Sequence, residues 1–363
     1  MKLNQLADYI FEVEKYTELD YDFAESGFAA KFDGWNGGGC SCIAKQTEDK
    51  QMLIGRNMDL TISNKPAYVV RTECPGKHKT VGIAYSYFSG PDYEDVLKNG
   101  VDDAYAKVLP FMCCDTMNDA GLYIEINMRN GENNADGSSK FGCSGTNPGA
   151  HRVCSMNLVR YIGENCASVD EAVEYVKSLD LYTPTENIPW NFTFIIADKS
   201  GHFGLLEIAD NKVSWLDGQQ AQTNFYLTKE FNEKEEMKCG LGRYDMLMKG
   251  LGDVQNEDDM FQLIDKATYF RVYRENPTYD VRTEYVAIEP DWTTDFVLGD
   301  ENAEVVQARV QRNIERIGKL TRKELQDATK YWESIFTVVA NCNSRELRVR
   351  FFEDNERVFK FGL

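Results

Sequence analysis

The sequence predicts an α+β fold in which antiparallel sheets stack on one another. Three observations carry this. Strand patterns come in runs joined by tight-turn sequences, at 190–216 and again at 334–361. Helical patterns come in separate blocks, at 151–179 and 243–270, and this segregation argues against the strand–helix alternation of a parallel sheet. No internal repeat, low-complexity segment or linker divides residues 40–363, so they read as one domain.

Residues 1–39 read as a separate leader. Leu3, Leu6, Ile10, Val13 and Tyr16 fall close to helical spacing, which predicts a short amphipathic helix. The segment holds eight acidic residues against three lysines. It reads as a pro-segment that covers the site until cleavage, or else as a permanent N-terminal helix ahead of an ordinary domain.

A glycine run, Gly37-Gly38-Gly39, then leads into Cys40-Ser41-Cys42-Ile43-Ala44-Lys45, a polar turn at Thr47–Lys50, and Met52-Leu53-Ile54-Gly55-Arg56-Asn57-Met58-Asp59. Two apolar runs about a polar turn predict a hairpin with Cys40 opposite about Asn57, and so close to Arg56 and Asp59. A guanidinium and a carboxylate gathered beside a thiol are costly to bury without a chemical use. Glycine before Cys40 leaves the preceding carbonyl open to attack, as self-cleavage between Gly39 and Cys40 requires. The new α-amine of Cys40, with a reference pKa of about 7.7–8.0, can serve as base for its own thiol. A Cys/His pair is the other route to an activated thiol, but His78, His151 and His202 sit in no catalytic motif.

The later elements follow in order. Thr61–Gly100 reads as loop-rich, with Tyr68, Tyr85, Tyr87, Phe88 and Tyr93 among its glycines and prolines. Pro110–Asp115 and Leu122–Asn127 form a second hairpin through Asn118-Asp119-Ala120-Gly121. Helices are predicted over His151–Gly163 and Ser168–Leu179, the second opened by a capping box of Ser168 and Glu171. Trp190–Ala197, Phe203–Ile208 and Lys212–Leu216 form an antiparallel meander, and a further strand, Gln222–Leu227, carries Asn224. Beyond it come helices at Arg243–Leu251 and Glu257–Phe270, a strand at Glu284–Ile288, and a long polar helix at Asn302–Leu325. Strands at Ser334–Ala340, Glu346–Phe352 and Arg357–Phe361 close the chain.

The run from Cys40 to Asp59, with Gly55-Arg56-Asn57-Met58-Asp59 at its end, resembles the start of the choloylglycine hydrolase family, N-terminal-nucleophile hydrolases that include bile salt hydrolases and penicillin V acylases. Asn118–Asn127, Thr223-Asn224, Gly242-Arg243-Tyr244 and the strand from Trp332 follow in family order. The resemblance implies a four-layer αββα sandwich with Cys40, not Cys42, as nucleophile. It implies that Asn224 donates to the oxyanion, that Asn127 helps bind the substrate amide, and that Arg243 lies close to the cysteine, holding the thiolate and orienting Asp59. It also makes the aromatics of Thr61–Gly100 candidates for an acyl-pocket wall, and it implies a homo-oligomer, since relatives are often tetramers.

Composition fits a catalytic domain of this kind. The 363 residues are 42% hydrophobic and 12% aromatic, ample for a globular core, and their net charge of −19 opposes binding to nucleic acid or an anionic membrane. No apolar run reaches the length of a membrane span, and Met1-Lys2-Leu3-Asn4 does not open a signal peptide, so a cytoplasmic location is expected. Ten cysteines then read as reduced, mostly buried thiols, and their spacing is not that of a zinc site.

The expected mechanism is attack by Cys40 on a linear amide, with its own α-amine as base, Arg56 and Asp59 holding amine and thiol, and Asn224 and Asn127 stabilising the oxyanions. A thioester forms and water releases the acid; no metal or organic cofactor is needed. The expected partner is a small-molecule amide with an apolar acyl group, of the bile salt, penicillin V or N-acyl amino acid type. Acyl transfer to an amine would use the same residues, and a binding protein with an inert Cys40 is the non-catalytic alternative.

Overall fold

The structure is a computed structural model that describes residues 1–28, 39–61, 64–85, 90–129, 139–183, 191–236, 240–267, 270–273 and 330–363, with the single positions 132, 134, 135 and 238. The chain opens with strands β1 (Leu3–Ala7) and β2 (Ile10–Val13) and helix α1 (Tyr21–Phe28). The amphipathic helix expected over Leu3–Tyr16 is thus a β-hairpin. Tyr9, with a left-handed φ of 61°, turns the chain between its strands. Strands β3 (Gly39–Gln46) and β4 (Met52–Thr61) form the next hairpin. Its register is one residue from the expected one: Cys40 faces Met58, and Asn57 faces Ser41. The loop between the strands sets this, because the Thr47 N–H donates to the Gln51 carbonyl at 2.9 Å and closes it.

The stretch expected as loop contains β5 (Ala67–Thr72), β6 (Thr80–Tyr85) and α2 (Tyr93–Asn99), followed by α3 (Asp103–Val108). Strands β7 (Cys113–Asn118) and β8 (Leu122–Glu125) make the expected second hairpin, and β9 (Asn127–Arg129) continues beyond it. Asn118 shapes the turn: its Oδ1 accepts from the N–H groups of Ala120 and Leu122, both at 3.0 Å. The first half of the helix expected over 151–163 is instead β10 (His151–Cys154); the second half is α4 (Leu158–Asn165). Then come α5 (Val169–Lys177) and β11 (Leu179–Tyr182), the latter pairing in parallel with β10. The meander is present as β12 (Asn191–Asp198), β13 (Phe203–Ala209) and β14 (Lys212–Asp217).

Strand β15 (Ala221–Gln222) ends before Asn224, so the expected strand to Leu227 is cut short. Helices α6 (Lys229–Lys234), α7 (Leu241–Gly250) and α8 (Glu257–Asp265) follow, then β16 (Phe270–Tyr273), β17 (Lys330–Asn341), β18 (Glu346–Phe351) and β19 (Asp354–Gly362). The expected strand at 284–288 and helix at 302–325 lie outside the described residues.

Two large sheets result. One runs β1-β2-β5-β6-β7-β8-β12-β13-β14, with β9 beside β12; the other runs β15-β3-β4-β17-β18-β19, with β16 beside β17. Strand β12 packs across the gap on β3 and β4. Buried apolar side chains of both sheets, Ile54 and Val338 with Tyr123 and Ile195 among them, fill the space between them. Helices α4 and α5 cover the outer face of the first sheet, and α7 and α8 cover that of the second. The layers are therefore α, β, β, α. Strand alternation decides which side each β3–β4 residue serves: Cys40, Cys42, Arg56 and Met58 point inward, whereas Asn57 points out and donates to the Ile264 carbonyl of α8 at 2.9 Å.

Candidate active site

Cys40 sits at the start of β3, buried, with its thiol in the wall of a cavity of about 70 Å³ between the sheets. The rest of that wall is apolar: Met58 beside it on β4, Tyr85 at the end of β6, Phe111, Ile126, Met128 and Met156. Of the five aromatics expected there, Tyr85 lines the cavity. Tyr68 is buried on β5, Tyr93 stacks on Tyr9, and Tyr87 and Phe88 lie outside the described residues. Met58 Sδ is 3.6 Å from the Cys40 Sγ.

The main chain of Cys40 is held on both sides. Its N–H donates to Asn224 Oδ1 at 3.0 Å, and its carbonyl accepts from Arg243 Nη1 at 2.8 Å. Arg243 enters from α7 and also donates to Ser41 Oγ at 2.7 Å and Asn224 Oδ1 at 2.9 Å, and it pairs with Asp59 at 3.5 Å. Ser334 on β17 donates to the other Asp59 oxygen at 2.5 Å. Asn224 Nδ2 donates to the Met128 carbonyl at 2.6 Å, which ties the segment after β15 to β9 across the sheet gap.

Arg56 and Asp59, expected as one cluster, serve opposite faces of β4. Arg56 points inward and is fully buried, pairing with Asp115 at 2.5 Å and Glu125 at 3.5 Å. It also donates to the Ile126 carbonyl at 2.8 Å and lies 3.1 Å from Met58 Sδ. Asp115 and Glu125 face each other across β7 and β8. Tyr123 donates to Asp115, and Gln222 to Glu125. Neither acid is evident from a motif, but a buried guanidinium demands buried counter-charge, and these two carboxylates occupy paired positions of the neighbouring hairpin.

Burial pushes the Cys40 thiol up to about 11. Arg56 pulls it back, the Asp59 and Glu125 carboxylates push it further up, and the Asp59 N–H opposes them. Burial likewise raises the Asp59 and Asp115 carboxyls, against Arg243 and Arg56 respectively, and lifts Glu125 to about 7. In the intact chain the thiol is thus neutral at neutral pH.

Asn127 is buried on β9, and both polar atoms of its side chain lack a hydrogen-bond partner among the described residues. It lies between Ile126 and Met128, which line the cavity, but does not line it itself. The histidines are elsewhere: His78 is bonded to Asp119 and His202 to Asp217, each at 2.7 Å, and His151 is exposed. Every described cysteine is a free thiol. Among the described residues no helix is long and apolar enough to cross a membrane.

Residues 40–225 match the family described as linear amide C–N hydrolases, choloylglycine hydrolase family. Among solved structures, a mutant of the conjugated bile acid hydrolase from Clostridium perfringens is 14% identical, with a TM-score of 0.47 over 89% of this chain and 92% of its own. The penicillin V acylase from Agrobacterium tumefaciens is also 14% identical, with a TM-score of 0.41 over 89% and 86%. No curated protein matches the sequence.

Proposed function

Because the chain belongs to the choloylglycine hydrolase family of linear amide C–N hydrolases, we propose that it is a self-processed cysteine amidohydrolase whose nucleophile is Cys40. The observation that carries this reading is the placement of Cys40: its sulfur opens on an apolar cavity while its main-chain N–H and carbonyl are gripped by Asn224 and Arg243.

Maturation begins when the Cys40 sulfur attacks the Gly39 carbonyl. The Gly39–Cys40 bond breaks, its nitrogen takes up a proton, and water hydrolyses the resulting thioester to leave Cys40 with a free α-amine. That amine forms where the Cys40 N–H now meets Asn224. It supplies the base that the neutral, buried thiol lacks. In turnover the amine takes the thiol proton and the sulfur adds to the substrate carbonyl. Asn224 stabilises the oxyanion with Asn127, whose amide has no partner among the described residues and sits between the cavity-lining Ile126 and Met128. The Cys40 α-ammonium passes the thiol proton to the substrate nitrogen, which leaves as the free amine and yields an acyl thioester. Water, deprotonated by the α-amine, then hydrolyses the thioester and the sulfur takes the proton back. Arg56, fixed by Asp115 and Glu125, stabilises the developing thiolate, and Asp59, held by Arg243 and Ser334, orients the new amine.

The lining favours an apolar acyl group, and the four methionines Met58, Met112, Met128 and Met156 in it can reshape around a flexible one. Bile salt, penicillin V and N-acyl amino acid amides form the panel to screen. The test is the denatured mass of the purified protein beside a Cys40→Ala control. The expected result is a wild-type fragment beginning at Cys40 and an uncut control; two uncut chains, with no amide in the panel turned over, would sink the reading.

A further inference from the structure

Residues 1–28 take no part in the chemistry, yet they are built into the fold. Strand β2 pairs in parallel with β5, from Ile10 against Ala67 to Glu12 against Val69, and β1 completes that edge of the sheet. Tyr16 then bridges to Thr72: its N–H donates to the Arg71 carbonyl at 2.9 Å and its carbonyl accepts from Glu73 at 2.8 Å. Ile10, Phe11, Val13 and Ala24 are buried. The Arg71 guanidinium pairs with Glu12 at 2.9 Å.

Two of these contacts support the acyl cavity from behind. The Tyr21 ring packs edge-on against Phe111, with centroids 5.2 Å apart, and Phe111 lines the cavity. Glu25 accepts from the Cys154 N–H at 2.9 Å and from the Asn157 side-chain amide at 2.7 Å. It thereby brackets Met156, which also lines the cavity.

A cover that is discarded on activation leaves a finished fold beneath it. Removal of residues 1–28 would instead expose β5 as a bare sheet edge, uncover the apolar surface under Ile10, Phe11 and Val13, and strip the acceptor from two donors beside Met156. Hydrolysis of the Gly39–Cys40 bond, in which water gives its hydroxyl to the Gly39 carbonyl carbon and its hydrogen to the Cys40 nitrogen, touches none of these contacts. We propose that the leader is never shed: residues 1–39 remain bound after cleavage as a small non-covalent subunit. Its strand β2 completes the sheet and its helix α1 holds the Phe111–Met156 wall of the acyl cavity in place.

The proposal rests on cleavage before Cys40, and the test separates the two. A site-specific protease sequence inserted after Lys31 lets the chain be cut whether or not it processes itself. Denatured mass before protease addition reads self-processing. Native mass after complete cutting reads retention. A single particle that keeps both fragments, with less than about a tenth of the leader lost on gel filtration, is expected, whereas separation of the leader from a still-folded remainder overturns the proposal. Glu25→Ala is expected to raise KM for a cleaved N-acyl amide about three-fold or more, with kcat within two-fold. Glu25→Gln, which keeps an acceptor oxygen, is expected to restore KM. An equal fall in kcat and kcat/KM without rescue would overturn the role given to α1.

Discussion

The neutral Cys40 thiol and the half-titrated Glu125 are both consequences of burial, which the Arg56 guanidinium offsets only in part. Arg56 faces two carboxylates, so one negative charge of the trio is in excess, and burial places the compromise on Glu125 at about 7. Unfolded, Glu125 ionises near its ordinary value of about 4.3; folded, it holds its proton to about 7. Its contribution to stability is therefore full below the unfolded value and falls away as pH rises through 7, by about 4 kcal/mol in all. Glu235, also lifted to about 7 by burial, shares that window. Glu125→Gln is expected to flatten, though not abolish, the fall of Tm between pH 4.5 and 7. Equal slopes in variant and wild type would show that Glu125 does not titrate there. For Asn224→Ala, the loss of an oxyanion donor predicts a fall in kcat of about 10²–10³-fold, measured on the mature enzyme; a change in KM alone would place Asn224 in ground-state binding only. The nearness of Cys40 to Arg56 and Asp59 was legible in a short motif and its spacing, whereas Asn224 and Arg243 were expected beside it only through the family resemblance. Asp115 and Glu125 were not legible, since only the folded pairing of β7 with β8 shows what buries Arg56's charge.

Elements were legible where their sequence carries a local signal. Helix α5 starts as expected: Ser168 Oγ accepts from the Glu171 N–H at 3.3 Å, while the Glu171 carboxylate reaches back one residue further than the capping box requires, to the Ala167 N–H at 2.7 Å. Ser168→Ala is expected to lower unfolding stability by about 1 kcal/mol in urea titration, and no change would mean that the Glu171 contact alone holds the helix start. The leader misleads because Leu3, Leu6, Ile10 and Val13 suit two short strands as well as a helix, and only the turn at Tyr9 decides between them. Strands β5 and β6 escape notice because they are buried on both faces and so lack the alternation that marks a half-exposed strand. Their packing is close: a Cβ at Gly82 would lie 2.5 Å from the Asp115 carbonyl oxygen. Gly82→Ala must therefore push β7 away, with an expected cost of about 1–3 kcal/mol. Thermal unfolding measures it, and an unchanged Tm would mean that the β6–β7 seam yields freely.

Across the whole molecule, the segregation of strand runs from helix blocks led directly to the layered sandwich, because antiparallel meanders need no helical crossover. Which strands neighbour one another was not legible: β4 pairs with β17, and β2 with β5, and both joins bring together segments far apart in the chain. The charge of −19 acts at the same scale. Repulsion among so many acids is screened by salt, so Tm is expected to rise between 10 and about 150 mM sodium chloride. A fall would mean that surface ion pairs outweigh the repulsion.

The loop from Thr47 to Gln51 acts as a gauge block for the chemistry at the far end of its hairpin. Cys40 and Cys42 share a face of β3, but Cys40 alone reaches the cavity, and the count of residues in a surface turn decides which sulfur arrives there. Adding or removing one residue at that turn would rotate both thiols out of the sheet gap. Two residues would substitute one thiol for the other. The choice of which thiol faces the cavity is thus stored in a segment that does not line it.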